Sequence, residues 1–182
     1  MRDSSPLDPT SSGPGLLRTP APRPTNLRGT KGGVRRQWAN FDAFANRIEE
    51  LLQQQFETPT LKRVSGTFTD RAGEKLEKWR AFKANVEWAI VGLGACWGTA
   101  PWSVYDATEL EKLGVPTVTI VTEEFAGLAR EIAVAEGFPS LKMLTVPHFF
   151  EELSEETVIE LANDLYPAIV NGLTEGTDDH TG

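Results

Sequence analysis

The chain has 182 residues, 40% of them hydrophobic and 24% charged, with a formal net charge of −8 at pH 7. That length holds one ordinary domain with a sizeable core and too little chain for two, and no apolar run approaches the ~20 residues of a membrane span. With one cysteine there is no internal disulfide, and without an apolar signal core near the N-terminus the expected location is the cytoplasm.

The charge is unevenly spread. Residues 1–36 carry Arg2, Arg18, Arg23, Arg28, Lys31, Arg35 and Arg36 against Asp3 and Asp8, about +5, which leaves about −13 for the remainder. An acidic globular part argues against a nucleic-acid surface on the domain itself. Residues 1–36 are rich in proline and lack apolar periodicity, so they read as a disordered or partner-binding basic arm. The arm has a further option, folding back on its own domain. Arg35-Arg36 is a twin-arginine pair, but the Gln37–Asp42 segment after it is no export signal. The domain itself is expected over residues 37–173, with a flexible acidic tail over 174–182.

Phe41, Phe44, Ile48, Leu51, Leu52 and Phe56 recur at spacings of three and four, the stripe of an amphipathic helix. Pro59 stops it, Leu61–Val64 suggests a short strand, and Gly66–Gly73 a loop. Glu74–Asn85 reads as a helix with Leu76, Trp79, Phe82 and Val86 on one face. Glu87–Gly92 is apolar without alternation, as in a strand covered on both sides. Ser103 with Asp106 three residues on matches a capping box for a helix that runs to Leu113 and stops at Gly114 and Pro116. Val115–Val121 is the next strand. Thr122 is placed to cap a helix from Glu123 to Glu136, Leu141–Val146 is a last strand, and Ser154 caps a final helix that buries Val158, Leu161, Leu165, Ile169 and Val170.

Alternating helix and strand imply an α/β fold, a three-layer sandwich with a mainly parallel sheet and right-handed crossovers, Rossmann-like or flavodoxin-like. Sites in such folds lie at the carboxyl ends of the strands. Cys96, Thr99, Ser103, Thr122, Glu123 and His148 all fall in loops that meet this rule.

Gly92-Leu93-Gly94 invites comparison with a dinucleotide loop, but Trp97 occupies the third-glycine position of G-x-G-x-x-G and no acidic residue follows at the required distance. No P-loop is present, and one cysteine with two histidines offers no zinc-ligand spacing. The sequence therefore implies neither cofactor nor metal. A Ser103–His148–Asp106 triad is conceivable, but the capping box explains Ser103 and Asp106 better. Cys96 has two readings, a small buried apolar residue or a thiolate held by a helix N-terminus. His148 is either a general acid or base or the partner of a loop carbonyl. Trp97 and Trp102 are pocket wall, core or interface anchors.

The segment from Gly92 to Val118, with Gly94-Ala95-Cys96-Trp97-Gly98-Thr99 at its centre, resembles the core of UGSC-motif proteins. In that family a loop reading roughly G-x-G-D-(selenocysteine or cysteine)-G-S-C-T-x-W-S precedes a helix, then E-x-x-G-x-P and a strand. Thr122-Glu123-Glu124-Phe125 and Val146-Pro147-His148 also resemble the family's threonine-glutamate-phenylalanine loop and its terminal proline-histidine. The resemblance implies an α/β fold and thiol or selenol chemistry at Cys96. The loop is distantly similar to the selenocysteine loop of amino-acid reductase subunits. Three departures matter: Ala95 replaces the acidic residue, Trp97 the glycine, and Thr99 the second cysteine, without which no internal dithiol cycle runs. The family's first strand is also hard to find, because residues 26–36 are polar and basic.

The expectation is a subunit of a thiol-dependent small-molecule enzyme. Cys96 would be the nucleophile or redox thiol, Thr99 and Ser103 would orient the substrate or donate to a developing negative charge, and His148 would move protons. Gly94, Trp97, Gly98, Trp102, Ser103, Thr122 and Glu123 would surround the substrate. A homologous second subunit, or a homo-oligomer, would complete the site, with neither nucleic acid nor membrane as partner. Two alternatives remain beside it: a non-catalytic regulatory partner, and a cysteine-dependent hydrolase, racemase or lyase.

Overall fold

A computed structural model describes residues 17–67 and 69–174. Its elements run β1 (Gly32–Arg36), α1 (Ala39–Phe56), β2 (Lys62–Ser65), α2 (Ala72–Lys83), β3 (Trp88–Gly94), α3 (Thr99–Lys112), β4 (Thr117–Thr122), α4 (Ala126–Ala135), β5 (Met143–Val146) and α5 (Glu155–Thr174). Single 3₁₀ turns at Glu123–Phe125 and Phe150–Glu152 follow β4 and β5. The five strands form one parallel sheet in the order β2-β1-β3-β4-β5. This is the flavodoxin-like winding, which reverses direction between β1 and β3 and opens a crevice at their carboxyl ends.

Strand alternation divides the core between the two faces of the sheet. Val34, Ile90, Val118 and Ile120 face α1 and α5, where Phe41, Phe44, Ile48 and Leu52 pack against Val158, Ala162, Ile169 and Leu173. Ala89, Val91 and Val121 face the other helices, meeting Trp79 and Phe82 of α2, Val104 and Leu110 of α3 and Ala129 of α4. Of the face expected on α2, Leu76 is 42% exposed, while Trp79 and Phe82 are buried.

Residues 17–36, expected to stand outside the domain, are part of it. Residues 1–16 and 175–182, which carry the rest of the expected arm and tail, lie outside the described residues. Strand β1 pairs with β2 on one side and β3 on the other, as an interior strand of the sheet. Its glycines explain how so polar a stretch is buried. A Cβ on Gly32 would run into the indole of Trp88, and one on Gly33 into the ring of Phe82. Bulky neighbours thus supply the apolar surface that the strand itself lacks. The first strand that was hard to find in residues 26–36 is β1.

Arg23, Arg28, Arg35 and Arg36 of the expected arm form ion pairs with Glu111, Glu57, Asp106 and Asp42. Arg23 reaches Glu111 on α3 at 3.2 Å and donates to the carbonyls of Gly172, Ala21 and Thr117 at 2.8, 3.0 and 3.1 Å. Glu111 also accepts the Ala21 N–H at 2.6 Å and both the N–H and hydroxyl of Thr117, at 2.7 and 2.8 Å. This staple crosses the amino end of the sheet, opposite the crevice.

Candidate functional site

Helix α3 begins at Thr99, four residues before the expected cap. Ser103 and Asp106 therefore lie inside the helix, both fully buried, and the capping box is not formed. Their real partner is Arg35 of β1, whose side chain is also completely buried. Arg35 Nε donates to Asp106 at 2.8 Å, and Nη1 donates to Ser103 Oγ at 3.2 Å and to the Gly92 carbonyl at 3.1 Å. The Thr67 hydroxyl and N–H also donate to Asp106. Burial pulls the Arg35 guanidinium below its usual value, with Asp106 opposing. Ser103 is thus committed to the buried network and is unavailable to a substrate or to a Ser103–His148–Asp106 triad. The network joins β1, α3 and the 66–67 loop to the last turns of β3, the strand that presents Cys96.

The loop between β3 and α3 is organised by one hydroxyl. Thr99 Oγ1 accepts the N–H groups of Ala95 at 2.9 Å and Cys96 at 3.1 Å, and lies 3.2 Å from Cys96 Sγ. A hydroxyl has two acceptor lone pairs and one proton. With both lone pairs taken by N–H groups, the Thr99 proton points at sulfur, so Sγ is the acceptor. The Thr99 N–H donates to the same sulfur at 3.3 Å. Burial pushes the Cys96 thiol up and the charge of Glu151 adds to that. The hydrogen bonds from the Thr99 hydroxyl and from the Thr99 and Gly98 N–H groups outweigh both, and the thiol lies below its ordinary value. These are donors placed for a thiolate at the start of a helix.

Gly94 lets this loop sit close: a Cβ there would come within 3.0 Å of the Ala100 Cα and of Val121. It packs at the strand end and is not among the residues that line the cavity beside Cys96. Half-buried Cys96 forms one wall of a cavity of about 260 Å³, with Gln37, Trp38, Gly98, Thr99 and Trp102 as the rest of its lining. The cavity lies at the carboxyl ends of β1 and β3, where the winding reverses. Gln37 and Trp38 were not anticipated from sequence, because β1 had not been recognised as the strand they follow. Trp38 has φ 79° and ψ 138°, a region that an L-residue enters only under constraint.

The remaining expected residues gather one strand further along. Thr122 makes no side-chain cap for the helical turn after it. Its hydroxyl instead pairs with His148 Nδ1 at 3.2 Å. The His148 ring meets Phe125 edge-on, at 5.6 Å between centroids, and lies tilted against Phe149, at 4.0 Å. Trp97 is 78% exposed and meets Phe125 edge-on at 5.5 Å, so it belongs to this aromatic row and not to the cavity wall. Glu123 is exposed, in the turn between β4 and α4. None of Trp97, Thr122, Glu123 and His148 lines the cavity beside Cys96.

Fold and loop together define an α/β protein of flavodoxin-like winding that presents a donor-stabilised thiol at its switch point. The chain belongs to the UGSC family, whose model matches residues 5–175. No curated protein and no solved structure matches it. No described helix is long and apolar enough to cross a membrane.

Proposed function

We propose that this chain is the thiol-bearing subunit of an enzyme acting on a small molecule, with Cys96 as the nucleophile. The observation that supports this is the saturation of Thr99 Oγ1, which directs its proton to a sulfur already facing a cavity. In the step that follows from it, Sγ attacks an electrophilic atom of the substrate. A bond forms to sulfur, and the leaving group departs with its electron pair. Trp38 and Trp102 would enclose an apolar body and exclude water from the reacting pair.

A redox variant of this chemistry needs a thiol from outside, since the chain has one cysteine and Thr99 stands where the family carries its second. The exposed Trp97 and Phe149, 78% and 54% accessible, support a second subunit that covers the same edge of the sheet.

The rate of Cys96 alkylation by iodoacetamide, measured against pH, tests the nucleophile directly. The expected midpoint lies below the ~8.5 of a free thiol, and Cys96→Ala removes the reaction. A midpoint at or above the free value would return Cys96 to the packing reading. Sedimentation of the purified chain alone, and co-purified with its natural complex, tests the second subunit.

A further inference from the structure

The packing of the domain does not account for a tryptophan at position 38. Its backbone stands at φ 79° and ψ 138°, a region freely open only to glycine. Its side chain belongs to neither core cluster, and the residue is 39% exposed. Among the described residues no ring, cation or hydrogen bond engages the indole. Trp102, the second tryptophan of the cavity wall, is held differently. It meets Tyr105 edge-on at 5.7 Å and carries Lys75 Nζ 5.5 Å from its centroid. A strained backbone and a large apolar side chain left partly in water both count against stability. Residues kept in that condition cluster at ligand sites, and Trp38 lines the cavity on which Cys96 opens.

The size of the cavity narrows what it can take. It holds about 260 Å³, whereas an apolar cavity of about 150 Å³ accommodates benzene and sites for drug-sized ligands begin near about 300 Å³. One ring with a few substituent atoms therefore fits. Apart from Cys96, the polar side chains of the lining are Gln37 and Thr99, and the Thr99 hydroxyl is already committed to sulfur. Shape and apolar contact, more than polar recognition, then select the ligand. Against tryptophan a flat aromatic ring gains more than a saturated one, because aromatic pairs attract beyond the area they bury.

We propose that Trp38 is a specificity-determining residue and that the ligand of this cavity is a single aromatic ring with its electrophilic atom on a short substituent. The ring would lie against the Trp38 indole, with Trp102 as the second wall, and the substituent would reach Cys96. This deepens the reading of Cys96 as the nucleophile and rests on it for the place of the electrophilic atom.

Three methanethiosulfonates that differ only in the group they deliver, benzyl, cyclohexylmethyl or methyl, test the ring. In each case Sγ attacks the sulfenyl sulfur, a disulfide forms and methanesulfinate leaves with its electron pair. Rates on the folded chain are divided by those on the urea-unfolded chain, which removes the intrinsic differences between reagents. After that division benzyl should exceed cyclohexylmethyl about fivefold, the size of one aromatic pair. Trp38→Leu should bring the ratio back to that of the unfolded chain, while Val134→Ala, on the exposed side of α4, should not. A second measurement needs no reactive thiol. In Cys96→Ala, titrations followed by the indole N–H resonances should give benzyl alcohol a lower Kd than cyclohexylmethanol. A rate ratio no higher than in the unfolded chain would overturn the ligand class and leave the nucleophile in place. A folded chain inert to all three reagents would overturn the nucleophile. The ligand class would then be decided by the titrations, where an equal or weaker Kd for benzyl alcohol overturns it. The same titrations decide the matter should Trp38→Leu fail to fold.

Discussion

The carboxyl edge of the sheet twice pairs a threonine hydroxyl with a titratable side chain, and the two pairs are put to different use. Beside β3, Thr99 Oγ1 lies 3.2 Å from Cys96 Sγ; beside β4, Thr122 Oγ1 lies 3.2 Å from His148 Nδ1. Thr99 has both lone pairs filled by backbone N–H groups, so its proton has one direction to go. Thr122 is under no such constraint, and its imidazole partner accepts or donates according to its tautomer. The first pair opens on a cavity and the second lies against the rings of Phe125 and Phe149. A hydroxyl thus becomes a fixed donor only where its surroundings have used up its capacity to accept.

The largest expected break in this comparison comes from beneath the Cys96 half. Arg35→Met leaves the Asp106 carboxylate buried and unpaired, which should cost about 3–5 kcal/mol in urea denaturation. Replacing both partners by apolar residues, Arg35→Met with Asp106→Leu, should recover much of that loss. A single variant as stable as the parent would remove the network from any role in holding β3 against α3.

Thr99→Val comes next. It strips the acceptor from the Ala95 and Cys96 N–H groups, at roughly 1–3 kcal/mol for each group left unsatisfied. It also moves the midpoint of Cys96 alkylation upward, so the rate at neutral pH falls, whereas Thr99→Ser keeps both properties. Equal midpoints in the valine and serine variants would show that the hydroxyl does not govern the thiol.

A smaller effect lies in the pH dependence of stability. The folded Cys96 thiol lies below its ordinary value. Its ionisation therefore adds stability that is complete above the unfolded thiol value and disappears as pH falls through the folded one. Denaturation midpoints from about pH 6 to 9 should rise with pH across that window in the parent, and this rise should be absent in Cys96→Ala.

The smallest effect should come from the other pair. His148→Ala gives up one hydrogen bond, about 1 kcal/mol, and should leave the Cys96 alkylation profile where it was. A displaced profile would join the two halves of the edge into one site and restore His148 to the proton-moving role that its sequence position suggested.

Much of the fold was legible because it rests on local periodicity. The stripe from Phe41 to Phe56 and the β-branched run before Thr122 state their elements within a few residues. Strand β1 does not, since the apolar surface it needs belongs to Trp88 and Phe82, more than forty residues away. The charge of Arg35 likewise finds its partner 71 positions further on. The Ser103–Asp106 spacing was misleading for a related reason. Residues three apart share one face of a helix interior as readily as they frame its start, and here the face they share is turned toward Arg35. Cys96 and Thr99 were found from motif and position together. Gln37 and Trp38 were missed because their place at the crevice depends on β1.

The interior position of β1 also bears on how the chain assembles as it is made. Both strands that flank β1 follow it in sequence, and α1, the first helix, finds its main helical partner in α5, the last. Early in synthesis, then, the sheet has no strand pair to extend on either side of β1 until β2 emerges, and its full hydrogen-bonding waits for β3. The staple from Arg23 to Glu111 and Gly172 closes later still. Contacts this distant in sequence slow folding relative to a chain held by local contacts. They also leave the basic segment exposed to solvent and to other macromolecules for most of its translation.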